Sequence, residues 1–133
     1  MPGTLVFRQG ILDRILIHEP RFDEQAYLFI LAALEHSQTR LDARRHITGA
    51  ELAYACRDLA LERYGLMARM VLEYWGVTST ADLGDVVFTL VDLGFLLSQP
   101  QDTREEFLGV YDFGSAFEHE YPWSYAVTPM SNE

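Results

Sequence analysis

The apolar residues of this chain recur mostly at intervals of three and four, the spacing that places side chains along one face of an α-helix. In the clearest case, after Thr48, one helical face would carry Leu52, Ala55, Cys56, Leu59 and Ala60. Thr48 and Glu51 also have the spacing of a capping box, in which each side chain accepts a hydrogen bond from the backbone amide of the other residue. These features predict a helix that begins after Thr48 and ends at Gly65, because glycine commonly follows the last turn of a helix.

Two helices are predicted before this one. The first covers residues 5–17, and Pro20 prevents it from continuing into the second. The second ends near His36, and its segment YLFILAAL, residues 27–34, is apolar almost all round. A helix with that pattern is usually buried on every side, so we expect it to lie at the centre of the fold.

Two more helices are predicted after Gly65. The apolar stripe of the fourth helix consists of Met67, Met70, Val71 and Tyr74. A fifth helix begins at Ser79 or Thr80, because either hydroxyl can cap a first turn. Its buried face is predicted to consist of Leu83, Val86, Val87, Leu90 and Val91.

Residues 106–113 fit two different elements. Asp102 and Glu105 could begin a sixth helix that carries Phe107, or residues 106–113 could form the returning strand of a β-hairpin after the turn at Pro100. The pattern slightly favours the helix.

The segment YWGVTSTADLGDVVFTLVDLGFLLSQPQDT, residues 74–103, resembles the winged helix-turn-helix pattern of DNA-reading proteins. In that pattern a short helix, a turn, a long helix ending in Leu-Val-x-x-Gly and a hairpin follow one another. Leu90, Val91 and Gly94 occupy the last positions of the long helix here. This is a likeness of fold, and a fold by itself says little about function.

The fold class that we expect is therefore mainly α. The chain would form a single domain of five to six helices in residues 1–125, with a winged-helix-like C-terminal half and one short β-hairpin as the alternative to the sixth helix. Residues 126–133 would be a loose C-terminal end.

The charge of the chain argues against nucleic-acid binding. Its net charge is −10 and all ten of its basic residues are arginine, so its field repels phosphate backbones and acidic membranes. The helix that would read DNA carries Asp82, Asp85 and Asp92 and no basic residue. The absence of lysine excludes Schiff-base chemistry and a P-loop.

The cysteine content and the N-terminal sequence indicate the cellular compartment of the protein. Cys56 is the single cysteine and lies on an apolar helical stripe, so it is expected to be a core residue and cannot form an intramolecular disulfide. No secretory signal pattern and no apolar run of about 18 residues occurs. We therefore expect a cytoplasmic protein.

Three groups of residues are candidates for function. A basic cluster could bind a phosphate or an acidic partner, although such a loop is more often simply solvated: Arg40, Arg44, Arg45 and His46. Glu51 could act with Arg57 or His46 in a ligand site, but its capping-box position explains it without catalysis, and we favour that interpretation. No histidine or carboxylate spacing typical of a metal site occurs, so we expect neither a metal nor a cofactor.

The aromatic C-terminal segment is the third group. Its candidates for contact with a partner are Phe113, Phe117, Tyr121, Trp123 and Tyr125. Aromatic side chains are enriched at protein interfaces because they bury a large area at a small entropic cost. The alternative is that they fold back and complete the core.

Four motifs, HITGAEL, ALERYG, YWGVTSTADLGDVVF and VYDF, occur in order within residues 7–117. In these motifs the chain resembles a family of small proteins restricted largely to planctomycetes and verrucomicrobia. That family has no assigned activity, so the resemblance implies a bacterial cytoplasmic protein and assigns no functional residue.

The function that these features favour is a protein-interaction module without catalytic activity, such as an adaptor, a subunit or a small regulatory factor. Its partner would be a protein or a second copy of the chain. One alternative is a small ligand-binding domain or enzyme with a site around Glu51 and Arg57. The second alternative is a winged-helix transcription factor.

Overall fold

The fold is built from α-helices that surround one apolar core. The computed structural model describes residues 9–41 and 45–119. These residues form five α-helices and no β-strand: α1 (Gln9–His18), α2 (Glu24–Thr39), α3 (Gly49–Tyr64), α4 (Ala68–Tyr74) and α5 (Thr80–Asp92). Short 3-10 helices cover Gly65–Met67 and Arg104–Phe107, and a π-helical turn covers Ser115–His119. The prediction of a mainly helical domain is confirmed.

Side-chain caps fix the starts of the longer helices. The Thr48 hydroxyl accepts from the Glu51 amide at 3.1 Å, and the Glu51 carboxylate accepts from the Thr48 amide at 2.9 Å. The predicted capping box at the start of α3 is therefore confirmed. The Ser79 hydroxyl accepts from the Asp82 amide at the start of α5, as one of the two caps predicted there.

Helix α2 lies at the centre, as the all-apolar segment predicted, and packs against α3 and α5. Tyr27, Ile30 and Ala33 on α2 have 0–1% of their surface exposed. The predicted stripe of α3 is buried throughout, and so is that of α5 except for the half-buried Val91. Within the described residues, no helix is both long and apolar enough to cross a membrane.

The fourth helix buries a different face from the one predicted. Met67, Met70 and Tyr74 are 49%, 59% and 84% exposed, while Ala68 and Leu72 are fully buried. A 3-10 turn that begins at Gly65, with a φ of +53°, connects α3 to α4. The next residue along the buried face is Trp75, whose ring packs 5.5 Å from Phe29 and 5.9 Å from Tyr64.

Residues 95–113 form neither of the two predicted elements. The sixth α-helix is reduced to the 3-10 helix Arg104–Phe107, and no strand forms in this stretch. The 3-10 helix crosses α3 and α5 at close range. A Cβ atom at Gly49 would lie 2.7 Å from the Glu106 Cβ, and one at Gly84 would lie 2.8 Å from the Phe107 Cβ. The close crossing thus depends on glycine in both helices.

The C-terminal end of the described chain completes the core. Phe113 and Phe117 are 4% and 3% exposed, and their rings pack edge to face at 5.0 Å. Tyr111 contacts both rings, and its hydroxyl donates to the Ala53 carbonyl at 2.8 Å. This segment is thereby anchored to α3.

Candidate functional site

The aspartates of α5 are paired with arginines from two other parts of the chain. Arg21 donates a hydrogen bond to Asp85 and lies 3.5 Å from Asp82. Arg104 donates to the other oxygen of Asp85 at 2.7 Å and lies 3.6 Å from Asp92. The hydrogen bond to Asp85 raises the pKa of Arg21. These aspartates hold α5 to its neighbours in the fold.

The predicted basic cluster does not present its charges together. Arg45 forms a two-point ion pair with Glu51, at 3.1 Å and 2.7 Å. Arg40 lies 3.8 Å from Asp58, and the His46 ring is bonded to Asp102. Arg44 lies outside the described residues. Each described member therefore faces a carboxylate of the same chain.

Glu51 and Arg57 do not form a common site. Glu51 is held by the Arg45 guanidinium and by the Thr48 amide, and these hydrogen bonds lower its pKa to about 2. Arg57 bonds Asp58 at 3.0 Å and lies over the Tyr54 ring at 4.9 Å. Each of the two residues is thus paired with a different partner, and Glu51 takes the capping position that was the favoured interpretation.

Of the aromatic candidates for partner contact, Phe113 and Phe117 are in the core. Their burial agrees with the alternative that the segment folds back and completes the core, because their rings pack on Tyr111 and on each other. Tyr121, Trp123 and Tyr125 lie outside the described residues.

A cavity of about 200 Å³ lies between the C-terminal half of α2, the start of α3, α5 and residues 96–107. Most of its wall is apolar, with contributions from Leu34, Leu52, Val87, Val91, Leu96 and Phe107. Its charged and polar residues include Arg45, His46, Asp102 and Glu106, and neither Glu51 nor Arg57 lines it.

The polar residues of the cavity wall form hydrogen bonds with other parts of the chain. The His46 Nε2 atom and the Asp102 Oδ1 atom are 2.8 Å apart, with their side chains 31% and 13% exposed. The Asp102 Oδ2 atom accepts from the Gln99 amide at 2.7 Å, and the Glu106 Oε1 atom accepts from the Gly49 amide at 3.2 Å. A carboxylate bonded to one ring nitrogen fixes the orientation of the imidazole.

Sequence reasoning included His46 among its candidates but missed Asp102 and Glu106. His46 and Asp102 are 56 positions apart, and no periodic pattern links positions across such a separation. Asp102 carried only the signals of a turn residue and of a possible helix start, and Glu106 only that of an undecided helix or strand.

The second candidate is an exposed apolar surface on α4 and the 3-10 turn before it. This surface, the α4 surface below, consists of Leu66, Met67, Met70 and Tyr74, which are 49–84% exposed. Tyr74 also lines a shallow open groove, together with Leu16, Pro20 and Phe22. Contiguous apolar area of this kind marks a site of interaction more often than scattered apolar residues do.

Two further kinds of site have no support in the described residues. Cys56 is completely buried, and this burial raises the pKa of its thiol, so it does not present a reactive thiolate. In the described residues no group of three or more histidine, cysteine or carboxylate side chains is arranged to hold a metal ion.

Comparison with known proteins gives no relative: no family model, no curated protein and no solved structure matches the chain. The assignment of a function therefore depends on the geometry of these two sites.

Proposed function

We propose that this protein is a cytoplasmic protein-interaction module, and that its contact surface is the α4 surface. The observation that carries the proposal is the exposure of Met67, Met70 and Tyr74 along one side of α4 and the 3-10 turn before it, while Ala68 and Leu72 on the other side of α4 are buried. The surface takes the place of the aromatic segment as the proposed interface, since Phe113 and Phe117 are used in the core.

The arrangement of the α4 surface suits a helical partner. Met67, Met70 and Tyr74 follow a spacing of three and four, so they form a ridge about 10 Å long at the rise of an α-helix. An amphipathic helix recognises such a ridge through its own apolar residues at the same spacing. The methionine side chains are flexible and polarizable, which lets them adapt to the shape of the partner.

Charge favours a basic partner over a second copy of the chain. The net charge of −10 makes two copies repel each other and speeds the approach of a positively charged protein. The partner that we propose is a protein with an amphipathic helix that has apolar residues on one side and arginine or lysine beside them.

The proposal is tested by capture with three forms of the protein: wild type, Met70→Glu and Leu108→Glu. Leu108 is a matched control because it is 60% exposed against 59% for Met70 and belongs to a different segment. Each form would be used to capture proteins from its host, and the helix of any captured protein would then be synthesised and its affinity measured.

The supporting result is a basic amphipathic helix that binds the wild type and Leu108→Glu alike and binds Met70→Glu about tenfold more weakly or worse. Loss of the free energy gained by burying one methionine side chain in the interface accounts for a factor of that size. If every captured protein binds Met70→Glu as well as it binds the wild type, the α4 surface is not the interface. If instead the wild type forms a dimer that the Met70→Glu substitution dissociates, the partner at the α4 surface is a second copy of the chain.

The geometry gives less support to a winged-helix transcription factor. In that arrangement α5 would bring its exposed side chains to DNA, which requires basic residues or amides at the base edges. The exposed and half-exposed positions of α5 include Asp82, Asp85 and Asp92, and the chain itself supplies the arginines that pair with them. No strand forms a wing in residues 95–113.

A further inference from the structure

We infer that the cavity beside His46 is a binding site for a small amine, in its protonated form, with a compact apolar body. The inference is independent of the α4 surface, because none of the α4-surface residues lines the cavity. It differs as well from the site that the sequence suggested, which was centred on Glu51 and Arg57.

The size and wall of the cavity define the apolar part of the ligand. Its volume of about 200 Å³ is somewhat larger than the ~150 Å³ of an apolar cavity that accepts benzene. A ring or branched aliphatic group with a short arm therefore fills it. The Phe107 ring and the Leu52, Val87 and Leu96 side chains provide an apolar wall for that group.

The charged residues of the cavity wall determine the sign of the ligand charge. Asp102 and Glu106 contribute two carboxylates to the wall, while Arg45, the arginine in the wall, is engaged by Glu51. A negatively charged ligand would approach both carboxylates. An ammonium group would instead donate charge-assisted hydrogen bonds to them.

The N-terminus of α3 does not provide a competing site for an anionic ligand. Backbone amides at a helix start commonly bind anions, but here the Gly49 amide already donates to Glu106 and the Glu51 amide to Thr48. The Glu106 carboxylate thus occupies the position that a bound anion would take. Its second oxygen, Oε2, has no hydrogen-bond partner among the residues that the structure describes, so it is the acceptor that we assign to the ammonium group.

The His46 ring positions the second carboxylate. The Asp102 Oδ1 atom is bonded to the ring and its Oδ2 atom to the Gln99 amide, so the carboxylate cannot rotate freely. Because the His46 side chain is 31% exposed, this part of the cavity wall is next to solvent. A ligand can therefore enter with its apolar group first and leave its ammonium at the carboxylates.

The experiment compares three probes of nearly equal size on the full chain: benzylamine, benzyl alcohol and benzoate. Binding would be followed by NMR titration of the backbone amides at pH 7. The variants are Glu106→Gln, which keeps an oxygen for the Gly49 amide but removes the charge, and Asp13→Asn, a control at an exposed carboxylate on α1. Val91→Phe, at the half-buried rim of the apolar wall, is a second variant that fills the cavity.

We expect benzylamine to shift the amides of residues 46–52 and 87–107, and to bind about tenfold or more tightly than benzyl alcohol, as one charge-assisted hydrogen bond implies. Glu106→Gln should weaken benzylamine by a similar factor and Asp13→Asn should not. Val91→Phe should abolish the binding of every probe. The inference is overturned if benzoate binds as tightly as benzylamine, if Glu106→Gln leaves the benzylamine affinity unchanged, or if no probe binds at 10 mM, a concentration about tenfold above a weak Kd of about 1 mM.

Discussion

Gly84 of α5 and Phe107 of the following 3-10 helix lie so close together that a Cβ atom at position 84 would come within 2.8 Å of the Phe107 Cβ. The contact brings the segment that contains Glu106 across the starts of α3 and α5, where that residue lines the cavity. The position of one wall of the cavity thus depends on the absence of a side chain in α5.

Gly84→Ala is therefore expected to destabilise the protein, although alanine is the better helix former. Forcing a methyl group against Phe107 costs about 1–3 kcal/mol, which exceeds the gain in helix propensity of about 1 kcal/mol. Urea unfolding would show the loss in the free energy of unfolding. Gly10→Ala is the control, since nothing lies within 4 Å of its Cβ position, and its free energy of unfolding should be unchanged or slightly higher.

Glu51→Ala should lower stability at neutral pH and have little effect in strong acid. The folded-state pKa of Glu51 is about 2, below its ordinary value of 4.5. Folding thus favours the ionised form of Glu51. The stability that this carboxylate contributes to the folded state is therefore present above about pH 4.5 and is lost as the pH falls toward 2.

The Arg45 hydrogen bond is the largest cause of the lowered pKa of Glu51 and the Thr48 amide the next, but the carboxylate is exposed, so its contribution to the free energy of unfolding is small. A helix cap contributes about 0.5–1 kcal/mol, whereas the ion pair with Arg45 is exposed to solvent and screened. Unfolding measured from pH 7 to pH 2 would follow the loss, with Glu62→Ala on the exposed side of α3 as the control. A deficit in Glu51→Ala that is equally large at pH 7 and at pH 2 would contradict the assignment.

Asp85→Asn should weaken the attachment of α5 to both of its arginines. Arg21 and Arg104 each bond one oxygen of Asp85, and the three side chains are 33–51% exposed. We expect a loss of about 1 kcal/mol at low ionic strength that shrinks in 1 M salt, because exposed charges are screened. Thermal unfolding at the two salt concentrations would show it, and a loss independent of salt would indicate packing instead of charge.

Phe113→Ala distinguishes a core residue from an interface residue. Because Phe113 is 4% exposed, its removal should lower the free energy of unfolding by about 3–5 kcal/mol. A Phe113→Ala protein of nearly normal stability would show instead that this ring belongs to a surface, as the partner-contact hypothesis requires.

The parts of the fold that the sequence predicted well are those fixed by neighbouring residues. The cap at Thr48 and the stripe of α3 involve contacts within one or two turns, so their pattern is visible in the chain. Helix α4 carried two apolar faces, one with Met70 and Tyr74 and the other with Leu72 and Trp75. Periodicity cannot choose between two such faces, and the choice was made by the contact of Trp75 with Phe29.

The candidate sites were largely beyond sequence reasoning for a related reason. His46 meets Asp102, and Gly49 meets Glu106, only because the chain returns across α3 after more than 50 residues. The residues of the α4 surface were predicted to be buried, because an apolar stripe on a helix usually faces the core.

The central claim, that the α4 surface is the contact site for a partner protein, is tested most directly by crosslinking in the host cell. A photoreactive amino acid would be introduced at position 70 and, in a second strain, at position 108, which is equally exposed in the free chain. The claim predicts a crosslinked product with one basic protein at position 70 and none at position 108. No product at position 70, or the same products at both positions, would contradict it.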